Sequence, residues 1–100
     1  MAELECVKFT QAQRLRVIER DGHCCRLCGA WGEVLHVHHV VYRSAGGGHG
    51  LGNLISLHPW CHLDEAHGPE SGVWRAVFQA LLQTGSMLSA RALRRQVESA

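Results

Sequence analysis

Most of the chain's eight histidines lie within residues 35–67, and two of them, His38 and His39, are neighbours inside the β-branched run 34–41. Imidazole binds metal ions and exchanges protons near neutral pH, and it is an unusual choice for an apolar, strand-like sequence. A single histidine there would most simply belong to a buried sheet face. The adjacent pair, followed by Asn53 after a glycine-rich stretch, predicts a metal site with an acid–base group beside it.

Two short motifs have the spacing of zinc knuckles. Cys25 and Cys28 are separated by two residues, which lets both thiolates reach one tetrahedral ion at about 2.3 Å. Cys24 could replace Cys25, but the two-residue gap favours Cys25. His58 and Cys61 repeat the spacing. A lone C-x-x-C would also fit a redox motif, whereas the pair of knuckles predicts one structural zinc held by Cys25, Cys28, His58 and Cys61.

The composition limits the kind of protein. A chain of 100 residues makes one domain with a core small enough for a bound metal to matter. An odd number of cysteines and acidic first residues argue against a secreted, disulfide-bonded protein, and no apolar run approaches the ~20 residues of a membrane span. We therefore expect a cytoplasmic protein without membrane contact. Because the net charge is only +1, affinity for nucleic acid would come from local clusters.

The first predicted element is a helix that begins after Thr10. Gln13 stands three residues later and completes a capping box, and Asp21-Gly22 ends the helix after about Arg20. The arginines of this helix most simply form a solvent-exposed face. The alternative is that this face contacts phosphate groups. The predicted apolar face consists of Ala12, Leu15 and Ile18.

Between the knuckles, the pattern predicts a strand near 34–41, a glycine-rich loop over 43–52 and a strand over 54–57, followed by a helix from about Cys61 to Ala66. A regular strand sends His38 and His39 to opposite faces, so we expect the strand to end or bulge there. On the helix, residue 67 lies five positions after His62, about 140° around a regular α-helix.

The last third of the chain, 70–100, predicts a helical extension. The first helix should end at Thr84-Gly85, and a second should begin near Ser89. An apolar stripe of this kind most often packs in a core, whereas an exposed part would support a homodimer or a protein partner. The stripe consists of Val73, Trp74, Val77, Phe78, Leu81 and Leu82, and then Leu93 and Val97.

A combined pattern extends over residues 10–68. It comprises Val37-His38-His39-Val40, Arg43-Ser44, Gly46-Gly47, Asn53-Leu54, Leu57 and Cys61-His62. This pattern resembles the HNH endonucleases, and most of all the small stand-alone HNH proteins of phages and their bacterial relatives. The resemblance implies an α+β fold. Its zinc-stabilised, treble-clef-like ββα-metal core would span 10–68, with an N-terminal helix and one or two C-terminal helices, in a single HNH endonuclease domain of residues 1–100.

The resemblance also implies roles for individual residues. His38 falls on the family's metal-binding position, where many members have Asp, and His39 falls on its general base. His62 would be the second protein ligand of the catalytic ion. Asn53 would orient His39 through backbone hydrogen bonds, and Arg43 would clamp a phosphate.

His67 is expected to act from outside the ligand shell of that ion, unless the helix unwinds before Gly68. Glu65 is also expected outside that shell. His58 also departs from the family, whose zinc-binding members usually have Cys there. Two imidazole ligands favour Mn²⁺, Ni²⁺, Co²⁺ or Zn²⁺ at the catalytic position, with Mg²⁺ as a weaker candidate.

The implied activity is metal-dependent hydrolysis of phosphodiester bonds in double-stranded DNA, by nicking or by double-strand cleavage. The alternative is a zinc-stabilised nucleic-acid-binding module without catalytic activity. The expected location is the cytoplasm of a bacterium or an infected host cell. A phage packaging enzyme or a second copy of the chain is a candidate protein partner.

Overall fold

A computed structural model describes residues 10–42, 46–48 and 50–99. Residues 1–9, 43–45, 49 and 100 lie outside the described part of the chain. Helices surround a two-stranded sheet, so the predicted α+β class is confirmed. In chain order the elements are α1 (Gln11–Arg20), β1 (His36–His39), a 3₁₀ turn (Leu51–Asn53), β2 (Leu54–Leu57), a π-helix (Cys61–Ala66), α2 (Ser71–Thr84) and α3 (Ala90–Ser99).

The capping box of α1 forms as predicted. Gln13 N donates to Thr10 Oγ1 at 3.1 Å, and Thr10 N donates to Gln13 Oε1 at 2.8 Å. At the other end Asp21 caps the helix, and its N–H donates to Val17 O at 3.0 Å. The N-terminal end of α1 therefore follows from local side-chain chemistry.

The predicted apolar face of α1 is only partly right. Ile18 is buried together with Val17, but Leu15 is 51% exposed and Ala12 is exposed as well. Two arginines fix the helix on the hairpin instead: Arg14 Nη2 donates to Leu35 O at 2.8 Å, and Arg20 Nη2 donates to Leu54 O at 2.6 Å. These bonds rotate α1 so that the Leu15 side of the helix faces solvent.

The two strands form an antiparallel hairpin in the register His36↔Leu57 to His39↔Leu54. The bounds predicted for β2 are confirmed, whereas β1 is shorter than the predicted strand over 34–41. Only four residues of β2 are available for pairing, and Val34 lies outside the pairing with 65% of its surface exposed. All four residues of β2 are buried, which places this strand in the middle of the molecule.

A buried carboxylate, Asp21, joins the end of α1 to the hairpin. One of its oxygens accepts hydrogen bonds from Arg20 Nε at 2.8 Å and Arg26 Nη1 at 3.0 Å, and the other accepts one from Ser56 N at 2.9 Å. Asp21 is 2% exposed and Arg26 is 5% exposed. Because a buried ion pair with hydrogen bonds to both carboxylate oxygens has little freedom, these contacts fix the segment that carries Cys25.

The segment Cys61–Ala66 is a π-helix, although the sequence predicts an α-helix with these bounds. Its hydrogen bonds run between residues five apart, and His67 N accordingly donates to His62 O at 3.1 Å. This wider turn brings residues five apart to nearly the same side of the helix. Gly68 follows the end of the π-helix, and an added Cβ at this position would collide with Asp64 O.

The two C-terminal helices pack on the hairpin, as the apolar stripe predicts. Trp74, Phe78 and Leu81 are buried in one cluster with Ile55 and Leu57. Gly85, in the left-handed conformation with φ 70°, ends α2 where the sequence predicts. The N-terminal end of α3 is tied to the first knuckle. In contrast to the predicted stripe, the outer residues Val73 and Val97 are exposed, by 45% and 67%.

Within the part of the chain that the structure describes, no helix has the length and apolar character needed to cross a bilayer.

Candidate metal centres

The two knuckles meet in one cluster of ligand atoms, which we call the cysteine cluster. Each pair of its ligand atoms lies within 4.8 Å, and Cys28 Sγ is 3.3 Å from His58 Nδ1. Four ligands at about 2.3 Å from a tetrahedral ion would lie about 3.8 Å apart, so the cluster has the size of a zinc site. Its members are Cys25, Cys28, His58 and Cys61. Cys24 is not a member, because its Sγ contacts Gly22 O at 3.3 Å.

The imidazole of His58 is held in one orientation. Its Nε2 lies 3.2 Å from Trp31 O, and its ring stacks on Trp60 with centroids 4.5 Å apart. Gly32 leaves room for this ring, since a Cβ at that position would be 2.8 Å from it. When Nε2–H donates to the carbonyl, Nδ1 presents its lone pair to the three sulfurs, which is the arrangement of a metal-bound histidine.

Burial and the neighbouring thiols of Cys25 and Cys28 raise the pKa of the Cys61 thiol. Thiolates packed this closely repel one another in a dry site, and a divalent cation removes that repulsion by binding them. Sulfur with one imidazole is a donor set that suits zinc. The cysteine cluster could therefore hold a structural zinc.

A second group, the histidine cluster, lies between β1 and the π-helix. It consists of His38, His62 and His67, with ligand atoms within 4.8 Å of one another. His62 Nε2 and His67 Nε2 are 3.0 Å apart, and the ring of His38 lies 4.9 Å from that of His62 and 5.1 Å from that of His67. The prediction that His67 lies about 140° away from His62 is wrong, because the π-helix places both on one side.

Burial lowers the pKa of His38 to about 3, with further lowering by His62 and His67. Burial also lowers the pKa of His62 to about 4, with contributions from His67 and His36. Both imidazoles are therefore neutral at pH 7, and each keeps a nitrogen lone pair. Neutral imidazoles that converge on one point suit a divalent transition metal ion.

His36 also contacts the histidine cluster, although the family pattern assigns no role to it. The side chain is half-buried on β1, and its Nδ1 lies 2.9 Å from His62 Nδ1. Residues two apart on a strand share a face, so His36 and His38 both point towards the π-helix. The two-residue spacing of His36 and His38 was the sequence signal that could have identified His36 as part of the site. Tyr42 makes a similar contact with the cluster, its hydroxyl 3.3 Å from His67 Nδ1.

His39 borders the same cleft as the histidine cluster. The cleft has a volume of about 200 Å³, and its wall consists of Val37, His38, His39, Tyr42, His62 and His67. Strand β1 ends at His39, which agrees with the strand end predicted there. Side chains from the last residues of β1 and from the segment that follows it therefore line one cavity that is open to solvent.

The region that contains both clusters matches a known family. Residues 25–68 match the family model described as HNH endonuclease. This segment therefore resembles an HNH endonuclease domain. Its hairpin and the following helix are consistent with a ββα-metal core, and the resemblance indicates a nuclease-type or nucleic-acid-binding function with nucleic acid as partner. A search of curated proteins found no match to the chain.

Within the matched segment, Asn53 closes the loop between the strands. Its Oδ1 accepts from Val41 N at 2.8 Å, and its Nδ2 donates to Val41 O and to Gly48 O, each at 3.0 Å. Gly47 lies under this network, where a Cβ would collide with Val41 O. The amide thus holds the chain two residues after His39 by backbone hydrogen bonds.

Arg43 and Glu65 are the two other residues of the predicted site. Arg43 lies outside the residues that the structure describes. Glu65 is directed towards α3, where its Oε2 is 3.7 Å from Arg91 Nη2. The structure thus brings His38, His39, His62 and His67 together at one cleft and leaves Glu65 in a surface ion pair.

Proposed function

We propose that the protein is a metal-dependent HNH endonuclease that hydrolyses phosphodiester bonds of double-stranded DNA. The observation that carries the proposal is the convergence of three imidazoles, from His38, His62 and His67, on a cleft that is also bordered by His39. A cluster of ligands at an open cleft leaves coordination positions for water and phosphate, which a closed structural site does not.

His38, His62 and His67 would hold the catalytic ion. When bound, a divalent ion supplies positive charge to the phosphate as negative charge develops, and it stabilises the leaving 3′-oxygen. The all-imidazole donor set favours Mn²⁺, Ni²⁺, Co²⁺ or Zn²⁺ over Mg²⁺, which prefers oxygen ligands. His36 would orient His62 from the opposite ring nitrogen, as a carboxylate or carbonyl does for many metal-bound histidines.

His39 would act as the general base. Its position at the end of β1 places it beside the three-histidine cluster and facing the same solvent-filled cleft, where it can accept a proton from the attacking water. Asn53 would support this role indirectly, since its three hydrogen bonds to Val41 and Gly48 fix the backbone just after His39.

The cysteine cluster would have a different task. The cluster offers four donors, of which three, Cys25, His58 and Cys61, are buried. It connects the first knuckle to the start of the π-helix. A zinc ion there would close a loop of more than thirty residues and stabilise the fold without contacting substrate.

Cleavage of supercoiled plasmid DNA tests the proposal. Wild-type protein should convert plasmid to nicked or linear forms with manganese, nickel or cobalt and should lose this activity in EDTA. His39→Ala should reduce the rate by roughly 10²–10⁴ while metal binding stays unchanged. His23→Asn is the matched control, because His23 lies outside the cleft and asparagine tolerates its positive φ of 58°.

Two outcomes would contradict the proposal. One is metal-independent cleavage, or near-normal cleavage by His39→Ala. The other is DNA binding by the wild type without cleavage under any of these metals, which would favour the nucleic-acid-binding module instead.

A further inference from the structure

One cation beside the histidine cleft comes from a part of the chain outside the segment that matches the family. Arg75 lies on α2, whereas the match covers residues 25–68. Its Cζ is 5.4 Å from the centroid of the Tyr42 ring. The Tyr42 ring lines the cleft and stacks on His67, with centroids 5.5 Å apart and planes 24° from parallel. A chain of direct contacts thus links the guanidinium to the cleft.

The arginines of the C-terminal helices differ in their partners. Arg91 lies 3.7 Å from Glu65, and Arg94 forms ion pairs with Glu70 at 2.7 Å and Glu98 at 3.0 Å. Within residues 10–42, 46–48 and 50–99, no carboxylate lies at ion-pair distance from Arg75. Its contact with the Tyr42 ring orients the guanidinium but uses none of its five N–H donors.

An arginine that is oriented by an aromatic ring and keeps its donors is suited to bind phosphate through two parallel hydrogen bonds. We propose that Arg75 binds a backbone phosphate of the DNA strand that enters the cleft, so that the C-terminal extension contributes to substrate binding. This inference rests on the proposed function. The contact positions the strand and involves neither proton transfer nor the reacting bond.

Binding to a labelled DNA duplex, measured at several salt concentrations without added divalent metal, tests the contact independently of cleavage. Arg75→Ala should weaken binding roughly tenfold. It should also reduce the slope of log affinity against log salt by about 1, equally for unrelated duplex sequences. Arg75→Lys keeps the charge but loses the planar fork, so it should weaken binding with an unchanged slope.

Arg95→Ala is the matched control. Arg95 is exposed on α3 and borders a different depression with Ala92 and Gln96, so its substitution removes the same charge without touching the cleft. An equal loss of affinity in Arg95→Ala would show that only the overall charge matters and would overturn the proposal. Unchanged affinity and slope in Arg75→Ala would overturn it as well.

Steady-state cleavage gives the second readout. Arg75→Ala should raise KM roughly tenfold and leave kcat within a factor of about three, because the contact is made equally in the ground and transition states. A fall in kcat with unchanged KM would contradict a positioning role. Should the wild type bind DNA but never cut it, the nuclease proposal fails, while the salt-slope result still decides whether Arg75 contacts phosphate.

Discussion

The cysteine cluster and the histidine cluster take ligands from the same short segment, yet they have the properties of different kinds of metal site. Cys61 belongs to one and His62, the next residue, belongs to the other. The cysteine cluster has four donors and is largely buried. The histidine cluster has three, of which His67 is exposed and borders an open cleft. Donor number and access, rather than position in the fold, separate a site that stabilises from one that reacts.

The π-helix makes this division possible. Successive residues of a helix point about 100° apart, so Cys61 can face the first knuckle while His62 faces β1. The wider π turn then returns His67 to the side of His62. A regular α-helix with the same sequence would supply the cysteine cluster but would leave the histidine cluster with two members. π-Helical turns often occur at functional sites for this kind of reason.

Removing one sulfur should have the largest effect and should distinguish the clusters by stability. Cys28→Ser is expected to lose the zinc and the cooperative unfolding transition, because zinc binding supplies much of the folding free energy in domains of this size. Circular dichroism melting and zinc content by mass spectrometry measure both quantities. The control is Cys24→Ser, which changes a nearby thiol outside the cluster. Wild-type melting and zinc content in Cys28→Ser would refute the assignment of a structural zinc.

Removing one imidazole of the histidine cluster should leave the fold intact and lower the affinity of that cluster for its metal ion. His38→Ala and His67→Ala should each lower manganese affinity at least about tenfold, with part of the cleavage restored at high manganese. Isothermal titration calorimetry on zinc-loaded protein gives the affinities, and His23→Asn serves as the control. If His67→Ala binds manganese as tightly as the wild type, His67 is an outer residue as the sequence predicts.

His36 tests whether the histidine cluster depends on support from outside it. His36→Ala should reduce manganese affinity by roughly 10–100-fold at unchanged melting temperature, because His62 loses the partner of its second ring nitrogen. His36→Gln retains a hydrogen-bonding group and should recover part of the affinity. Equal affinities for both variants and the wild type would mean that the 2.9 Å contact has no bearing on the metal site.

The smallest expected effect concerns the pH dependence of stability, which tests whether His38 of the histidine cluster is buried and neutral. The pKa of His38 is about 3 in the folded protein and 6.5 ordinarily, so the unfolded chain binds the proton first as the pH falls. The stabilisation is fully present above about pH 6.5 and is lost towards pH 3. Between pH 7.5 and 5.5, zinc-loaded wild type should lose about 1 kcal/mol more unfolding free energy than His38→Gln, as measured by urea titration. Parallel pH profiles for the two proteins would contradict a neutral, buried His38.

Features set by neighbouring residues were predictable from the sequence. The capping box of Thr10 and Gln13, the bounds of β2 and the paired knuckles all depend on spacings of two to four residues. Spacing also predicted which cysteines of the crowded run 24–28 join the zinc-type cluster. The family resemblance added the cleft histidines, which one motif alone would not have identified.

Features set by tertiary contacts were not predictable in the same way. The exposure of Leu15 follows from bonds between α1 arginines and distant carbonyls. The positions of His36 and His67 depend on how β1 packs against a π-helix, and a rare helix type has no clear sequence signal. Arg75 contacts Tyr42, a residue of the cleft wall, from a helix whose apolar stripe predicts packing but not what its polar edge contacts.

Anomalous scattering from a crystal soaked in manganese tests the central claim, that one segment serves two metal sites of different kinds. Data collected at the zinc and manganese absorption edges identify each ion and its ligands. We predict a zinc peak bound by Cys25, Cys28, His58 and Cys61 that survives a wash in EDTA. A manganese peak bound by His38, His62 and His67 should disappear in the same wash. A single peak at the cysteine cluster, or zinc at both positions that resists the wash, would contradict the account.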